Sequence, residues 1–287
     1  MLFRSFRYRM LTPRERDQAI LTVMKRLESP GLGISGVGQK KRWIRGWNEN
    51  LKLFIDSGYN ENALVPKYIQ PQHPVRLYGD YVMPINKNFE RDFFSVIREW
   101  LYRTYLSGYN PIYEFGCGTG ANLAEIAKLY PEKELHGSDW IDTPKKIIEL
   151  LAEKKGYNIK GHVFDMFFPK KSFPLKEGAA ILAVNSLEQI GEKFEPFLQF
   201  VLSKKPAIFV HVDSFVEFYD ENNLPDYLTL IHNRKRNYLS GYLTRLRELE
   251  KKGVIELVKV QHVPYGGLYH DFFSFLVWKM KDASRIA

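Results

Sequence analysis

Three glycines alternate with other residues in Tyr113-Glu114-Phe115-Gly116-Cys117-Gly118-Thr119-Gly120. The apolar Pro111-Ile112 precedes this stretch and the helical pattern Ala121 to Tyr130 follows it, so it reads as a strand, a glycine loop and a helix N-terminus. Glycine suits such a turn because it takes positive φ without steric cost and, lacking Cβ, lets the backbone come up to a ligand. An acid about 20 positions further on, at the end of the next strand, is placed to bind ribose hydroxyls. Asp139, in Leu135-His136-Gly137-Ser138-Asp139-Trp140, meets that description, and the pair of motifs predicts a seat for a cofactor. A second match, Gly31-Leu32-Gly33-Ile34-Ser35-Gly36, has dinucleotide spacing in letters but follows a helical pattern instead of a strand, and reads as a flexible loop.

The dinucleotide fingerprint is G-x-G-x-x-G with its pyrophosphate on a helix N-terminus, whereas this loop has an acid, Glu114, at the strand end and evenly alternating glycines. On these residues the chain resembles the class I S-adenosylmethionine (SAM)-dependent methyltransferases. The resemblance implies SAM as cofactor. It places Glu114 at the ammonium group, Gly116, Gly118 and Gly120 beneath the methionine and ribose parts, and Asp139 at the ribose. Cys117, within the same loop, reads as the small residue that space admits, not as a nucleophile. The resemblance also implies that Asp165 and Met166 meet the adenine amino group and ring, and that Trp140 covers adenine's apolar face. Asn185, opening Asn185-Ser186-Leu187-Glu188-Gln189, falls near the methyl and methionine ends. Asp165 reads equally as a turn cap. The Asn/Asp-Pro-Pro-Tyr/Phe signature of enzymes that methylate adenine bases is missing after the fourth strand, which lowers the nucleobase reading. With Arg76 to Tyr81 and Arg236 to Gly241, the pattern is similar to bacterial methyltransferases acting on small molecules or glycans.

Methyl transfer from a sulfonium is an in-line displacement. The protein must hold the acceptor opposite the leaving sulfur, exclude water and, for a hydroxyl acceptor, remove a proton. His211 ends the strand Phe209-Val210-His211-Val212-Asp213 and is expected to point into the cleft, with a hydrogen-bonded structural role as the competing reading. His232, in a polar and aromatic insertion, is expected to line an acceptor pocket, and Glu188 is a further acid/base candidate that could equally cap or pair.

The elements that must position these groups alternate. A helix with Phe89, Phe93, Ile97, Leu101 and Tyr105 on one face leads into the glycine-loop strand. Strands are expected at Glu134 to Ser138, Gly161 to Phe164, Ala179 to Val184 and Ala207 to Val212, with a helix from a capped Thr143-Pro144 to Lys155. Val254 to Val263 and Phe272 to Lys279 read as a closing hairpin-like pair around Pro264 to Tyr269. This order predicts an α/β fold: a Rossmann-like, doubly wound, mostly parallel seven-stranded sheet with an antiparallel C-terminal strand over residues 88–287. Residues 1–87 read as a helical N-terminal extension or lid. A capping box at Thr12-Pro13-Arg14-Glu15 starts one helix, and Trp43, Ile44, Trp47, Leu51 and Phe54 mark a second. Leu64 to Met83, with Pro66, Pro71 and Pro74, reads as extended connecting chain.

Composition narrows the class. No run of 18 apolar residues is present, so a membrane span is excluded, and no signal peptide is expected. A lone cysteine and no Cys/His cluster of zinc spacing argue against a disulfide framework or a metal site and suggest a cytoplasmic setting. Lys and Arg total 42 against 33 Asp and Glu, a net +9. The excess gathers at Arg4 to Arg16, at Lys40-Lys41-Arg42-Arg45 and at Arg234-Lys235-Arg236. These patches keep an RNA methyltransferase open as the alternative to a small-molecule or glycan acceptor, and a SAM-binding protein without catalysis is the third reading.

Overall fold

The computed structural model describes residues 6–65 and 73–281. In chain order the elements are β1 (Tyr8–Met10), α1 (Pro13–Glu28), α2 (Lys40–Asp56), β2 (Val75–Leu77), β3 (Asp80–Pro84), α3 (Phe89–Tyr105), β4 (Ile112–Phe115), α4 (Ala121–Leu129), β5 (Leu135–Asp139) and α5 (Asp142–Lys155). They continue with β6 (Ile159–Val163), β7 (Ala180–Val184), α6 (Glu195–Ser203), β8 (Ile208–Val212), α7 (Leu224–Arg236), α8 (Tyr242–Lys251), β9 (Ile255–Gln261), β10 (Tyr265–Gly266) and β11 (Phe275–Met280). The main sheet has the order β6-β5-β4-β7-β8-β11-β9. Its pairings from β6 to β8 are parallel, and β11 runs antiparallel to both β8 and β9. This is the expected seven-stranded, doubly wound arrangement. Parallel strands sealed by helices on both faces read as continuous apolar runs, as Ala180–Val184 does.

Strand order reverses at β4, whose neighbours are β5 on one side and β7 on the other. Crossovers leave in opposite directions there and open a crevice beyond the strand carboxyl ends. One face of the sheet is closed by an aromatic cluster in which Phe115, Phe164, Phe173, Phe197 and Phe200 pack together. Each such ring contributes about 1.5–3 kcal/mol by leaving water. The other face is covered by Leu123, Ala124, Ile147 and Ile148 of α4 and α5.

The N-terminal region departs from the expected helices and connecting chain. Its two helices form as predicted, α1 with a complete Thr12/Glu15 capping box. The stretch read as extended connecting chain instead contributes a hairpin, β2 and β3. Together with β1 and β10 it makes a second, antiparallel sheet of order β1-β3-β2-β10. The short strand β10 lies in the connection between β9 and β11, so that connection is not a simple hairpin turn but a tie to the N-terminal sheet. Pro66, Tyr68 and Pro71 lie outside the described residues. The start of α5 also differs from expectation. Thr143 does not cap it; its hydroxyl donates to Asn48 Oδ1 on α2 at 2.7 Å.

Arg76 on β2 fastens the N-terminal sheet to α7 and to the segment between β10 and β11. Only 1% exposed, it donates to Asp271 Oδ1 at 3.1 Å, to Thr229 Oγ1 at 2.6 Å and to Asp226 Oδ1 on α7. Removing one member of a buried, hydrogen-bonded ion cluster strands the others without compensation. Arg76→Ala is therefore expected to lower stability by about 3–5 kcal/mol in urea unfolding, whereas Arg9→Ala, at the solvent-exposed Arg9–Glu15 pair, should leave the urea midpoint nearly unchanged.

Candidate functional site

The backbone turns out of β4 through Gly116 and Gly118, with φ of 73° and 51°. A Cβ on Gly116 would fall 2.3 Å from Ser186 Cβ, and one on Gly118 would fall 2.8 Å from the Trp47 ring, so neither position admits a side chain. The loop is drawn onto β5 by Gly116 N and Cys117 N donating to Ser138 O, at 2.8 and 3.0 Å. Asp139 ends β5 and accepts from Gly118 N at 3.2 Å. Gly120 serves packing, against Ile148 and Leu151, and begins α4. Cys117 is buried and its thiol is pushed up by burial, which agrees with a filler and not a nucleophile.

Two spaces open beside this loop. The first, of about 550 Å³, is bordered by Asp139, Trp140, Asp165, Met166, Asn185 and Trp43. The second, of about 970 Å³, is bordered by Gly118, Asn122, Arg98, Asn50, Asn185 and Trp47. Thus Asp139, Trp140, Asp165, Met166 and Asn185, nominated from separate parts of the sequence, converge on one crevice at the switch point. Asp165 Oδ1 accepts from Phe167 N at 2.8 Å, so it shapes its own turn as well as facing the space. Glu114 stands behind the second space, and its Oε1 accepts from Asn122 Nδ2 at 2.6 Å. Asn122 in turn accepts from Arg98 Nη1 at 2.9 Å, and the Arg98 guanidinium lies 4.0 Å from the Phe94 ring centroid.

Several buried polar atoms here have no partner among the described residues: Glu114 Oε2, Asp139 Oδ1, Arg98 Nε and both amide atoms of Asn185. Buried polar atoms are rarely left so, and Asp139, Arg98 and Asn185, which border the crevice, offer theirs as unused ligand contacts, with Glu114 behind them. Asn185 also has φ of 49°, a conformation tolerated by asparagine and found at functional turns. Burial pushes the Glu114 carboxyl up to about 8, against the opposing Asn122 hydrogen bond and Arg98 charge. Burial likewise raises Asp139 to about 7, offset in part by the N–H groups of Gly118, Trp140 and Ile141.

The acid/base candidates fare differently. His211 is fully enclosed, corrected from the expectation that it points into the cleft. It stacks on Phe209, meets Phe215 and Tyr242 edge-on, and approaches Asp213 Oδ2 at 3.2 Å. Burial holds its pKa down to about 3, so the ring stays neutral. His232 lies on α7, buried and stacked against Tyr269 and His270, and borders neither space. Glu188 is one hydrogen bond behind the wall: its Oε1 accepts from Gln189 Nε2 at 2.7 Å, and Gln189 borders the first space. Ser35 Oγ donates to the other end of that amide at 3.0 Å. The Gly31–Gly36 loop is thereby pinned, not loose, since Ser35 N also donates to Arg236 O at 2.8 Å. Within the basic run at 234–236, the buried Arg236 joins the same packing by donating to Gly33 O and Tyr238 Oη, and Lys235 donates to Leu27 O, while Arg234 is exposed.

The sequence reading missed Trp47, Trp43, Arg98, Asn122 and Gln189 as wall residues. Helical periodicity assigned the two tryptophans to an amphipathic face, and no local pattern says that this face meets a loop 70 residues away. Among the described residues no helix is long and apolar enough to cross a membrane.

No family model matches the chain, and no curated protein matches it. Solved structures do. PigF, solved with SAH, aligns with a TM-score of 0.51 at 15% identity over 93% of this chain and 72% of that one. Geranyl diphosphate C-methyltransferase from Streptomyces coelicolor A3(2) aligns with a TM-score of 0.51 at 12% identity, over 81% of this chain and 98% of that one. An O-methyltransferase from neocarzinostatin biosynthesis aligns at 12% identity with a TM-score of 0.44, and this chain spans 57% of its length. At these identities the likeness establishes the architecture: the chain has the Rossmann-like fold of the class I SAM-dependent methyltransferases.

Proposed function

We propose that this protein is a SAM-dependent methyltransferase acting on a small-molecule acceptor, glycan-type compounds included, with residues 1–87 covering the site. The observation that carries this is the set of unpartnered buried atoms on either side of the glycine loop, a carboxylate oxygen of Asp139 at one end and of Glu114 at the other. Those groups fit a ligand with a ribose at one end and an ammonium at the other. The bound cofactor supplies the chemistry, an electrophilic methyl on a sulfonium.

The chain's own residues bind, orient and exclude water. Asp139 accepts from ribose hydroxyls, while Gly118 N fixes the carboxylate's other oxygen. Glu114 and Arg98 take the charged ends of the amino-acid tail, held in register by Asn122 between them. Trp140 and Met166 provide the apolar walls for a base, and Asp165 faces its amino group. Gln189, clamped at both ends by Ser35 and Glu188, presents a fixed amide to the first space, and Glu188 is a positioning residue. The fold shared with proteins solved with SAH is in keeping with this reading. The burial of Arg236 and the bond of Lys235 to Leu27 O draw two cations of one basic patch into packing, which weighs against the RNA reading.

Isothermal calorimetry with SAH tests the proposal, and no heat would end it. Asp139→Asn is expected to weaken SAH binding by about 10- to 100-fold, the loss of a charge-assisted hydrogen bond, with the fold retained by circular dichroism. A pH dependence follows from Glu114. Below about 8 its carboxyl holds a proton that an ammonium ligand must expel, so affinity should rise as pH approaches that value, with Asp139, raised to about 7, adding to the slope at lower pH. Buffers of different ionisation enthalpy should report proton release at pH 7, and Glu114→Gln should reduce it to the share that comes from Asp139. Methyl label passing from SAM into a small-molecule pool, read by mass spectrometry, identifies the acceptor; label passing only into RNA would overturn the acceptor assignment.

A further inference from the structure

Trp47 is more than a wall of the crevice. Its ring lies on the Gly118 backbone, so close that a Cβ there would come within 2.8 Å of it. Asp139 borders the space on one side of this ring, and Arg98 and Asn122 border the space on the other. Trp43, Trp47, Gly116 and Asn185 border both. A ligand that reaches Asp139 with its sugar and Glu114 with its ammonium has to cross the glycine loop between them, where the indole lies. Ring and ligand contend for one volume. Resting on the cofactor reading above, we infer that Trp47 is a gate: in the form described here its indole plugs the crossing, and the cofactor is admitted when the ring leaves Gly118.

The anchoring of α2 suits that role. Its C-terminal half is fixed by the fully buried Phe54 and by Asn50, and Asn48 ties it to Thr143 on α5 at 2.7 Å. In its N-terminal half Lys41, Arg42, Ile44 and Arg45 are exposed, and Trp43, stacked on Trp47 at 5.4 Å between centroids, is a main inward contact. Gly46, immediately before Trp47, has open space where a Cβ would stand, so packing does not demand glycine there. A glycine inside a helix lowers its local stability by about 0.5–1 kcal/mol relative to alanine, which loosens α2 next to the plug. A site that binds ligand only in its open form pays the closed-to-open ratio in apparent affinity.

The test uses the full chain labelled with 5-fluorotryptophan, with the Trp47 resonance assigned by its loss in Trp47→Phe, and SAH as the probe. Titration is expected to shift the Trp47 ¹⁹F resonance together with that of Trp140. In stopped-flow binding, the observed rate for the unaltered protein should level off with SAH concentration at the opening rate, while Trp47→Ala should rise linearly and bind faster, by about tenfold if the closed form outnumbers the open by that ratio. A Trp47 resonance that stays put while Trp140 responds would overturn the gate and leave the cofactor reading intact, as would identical rate curves for the two proteins. Calorimetry without heat for either protein removes the cofactor reading and the gate with it. Should Trp47→Ala fail to fold, the ¹⁹F titration of the unaltered sequence decides alone.

Discussion

A carboxylate buried against a backbone amide holds this site together. Asp139 accepts from Gly118 N, and that bond joins the end of β5 to the loop leaving β4, the strand at which the order reverses. It costs desolvation, visible in the raised pKa of Asp139, and the cost is offset in part by the N–H of Gly118 in the loop and those of Trp140 and Ile141 after β5. The loop brings its N–H there through Gly116 and Gly118, which take positive φ where a side chain has no room. Geometry at the crevice therefore descends from two glycines and one acid, and the fold around them serves to bring the strand ends level.

Glu114 repeats the arrangement at the other end of the loop with different compensation. Its partner is Asn122, oriented by Arg98, in place of backbone. Two buried carboxyls raised toward neutrality beside one crevice cost desolvation that burial of apolar side chains there would not. Ground-state cost concentrated at one place is how a site tuned for a cationic, hydroxyl-bearing ligand looks when read energetically.

What was legible in the sequence was local. The alternating glycines, the acid at the end of the following strand and the strand–helix alternation each depend on residues a few positions apart, and they located β4 to β8 and the closing pair β9 and β11. What was not legible depended on contacts across the chain. The pairing of β10 with β2 joins residues nearly 190 apart, and each strand alone is too short to announce itself. Trp47 looked like any apolar helix position, and Arg98 like any surface charge, because nothing near either names Gly118 or Asn122. His211 failed for a different reason: a strand residue faces one side of the sheet or the other, and the sequence carried no sign that this one faces the packed aromatic layer.

The central claim is that one ligand spans the glycine loop from Asp139 to Glu114. A crystal structure of the protein grown with S-adenosylhomocysteine measures this directly. The account predicts ribose hydroxyls within hydrogen-bond distance of Asp139, the ammonium at Glu114, and the Trp47 indole displaced from Gly118. Density for the ligand at any other place, or a ligand lying wholly on one side of an unmoved Trp47, would contradict it.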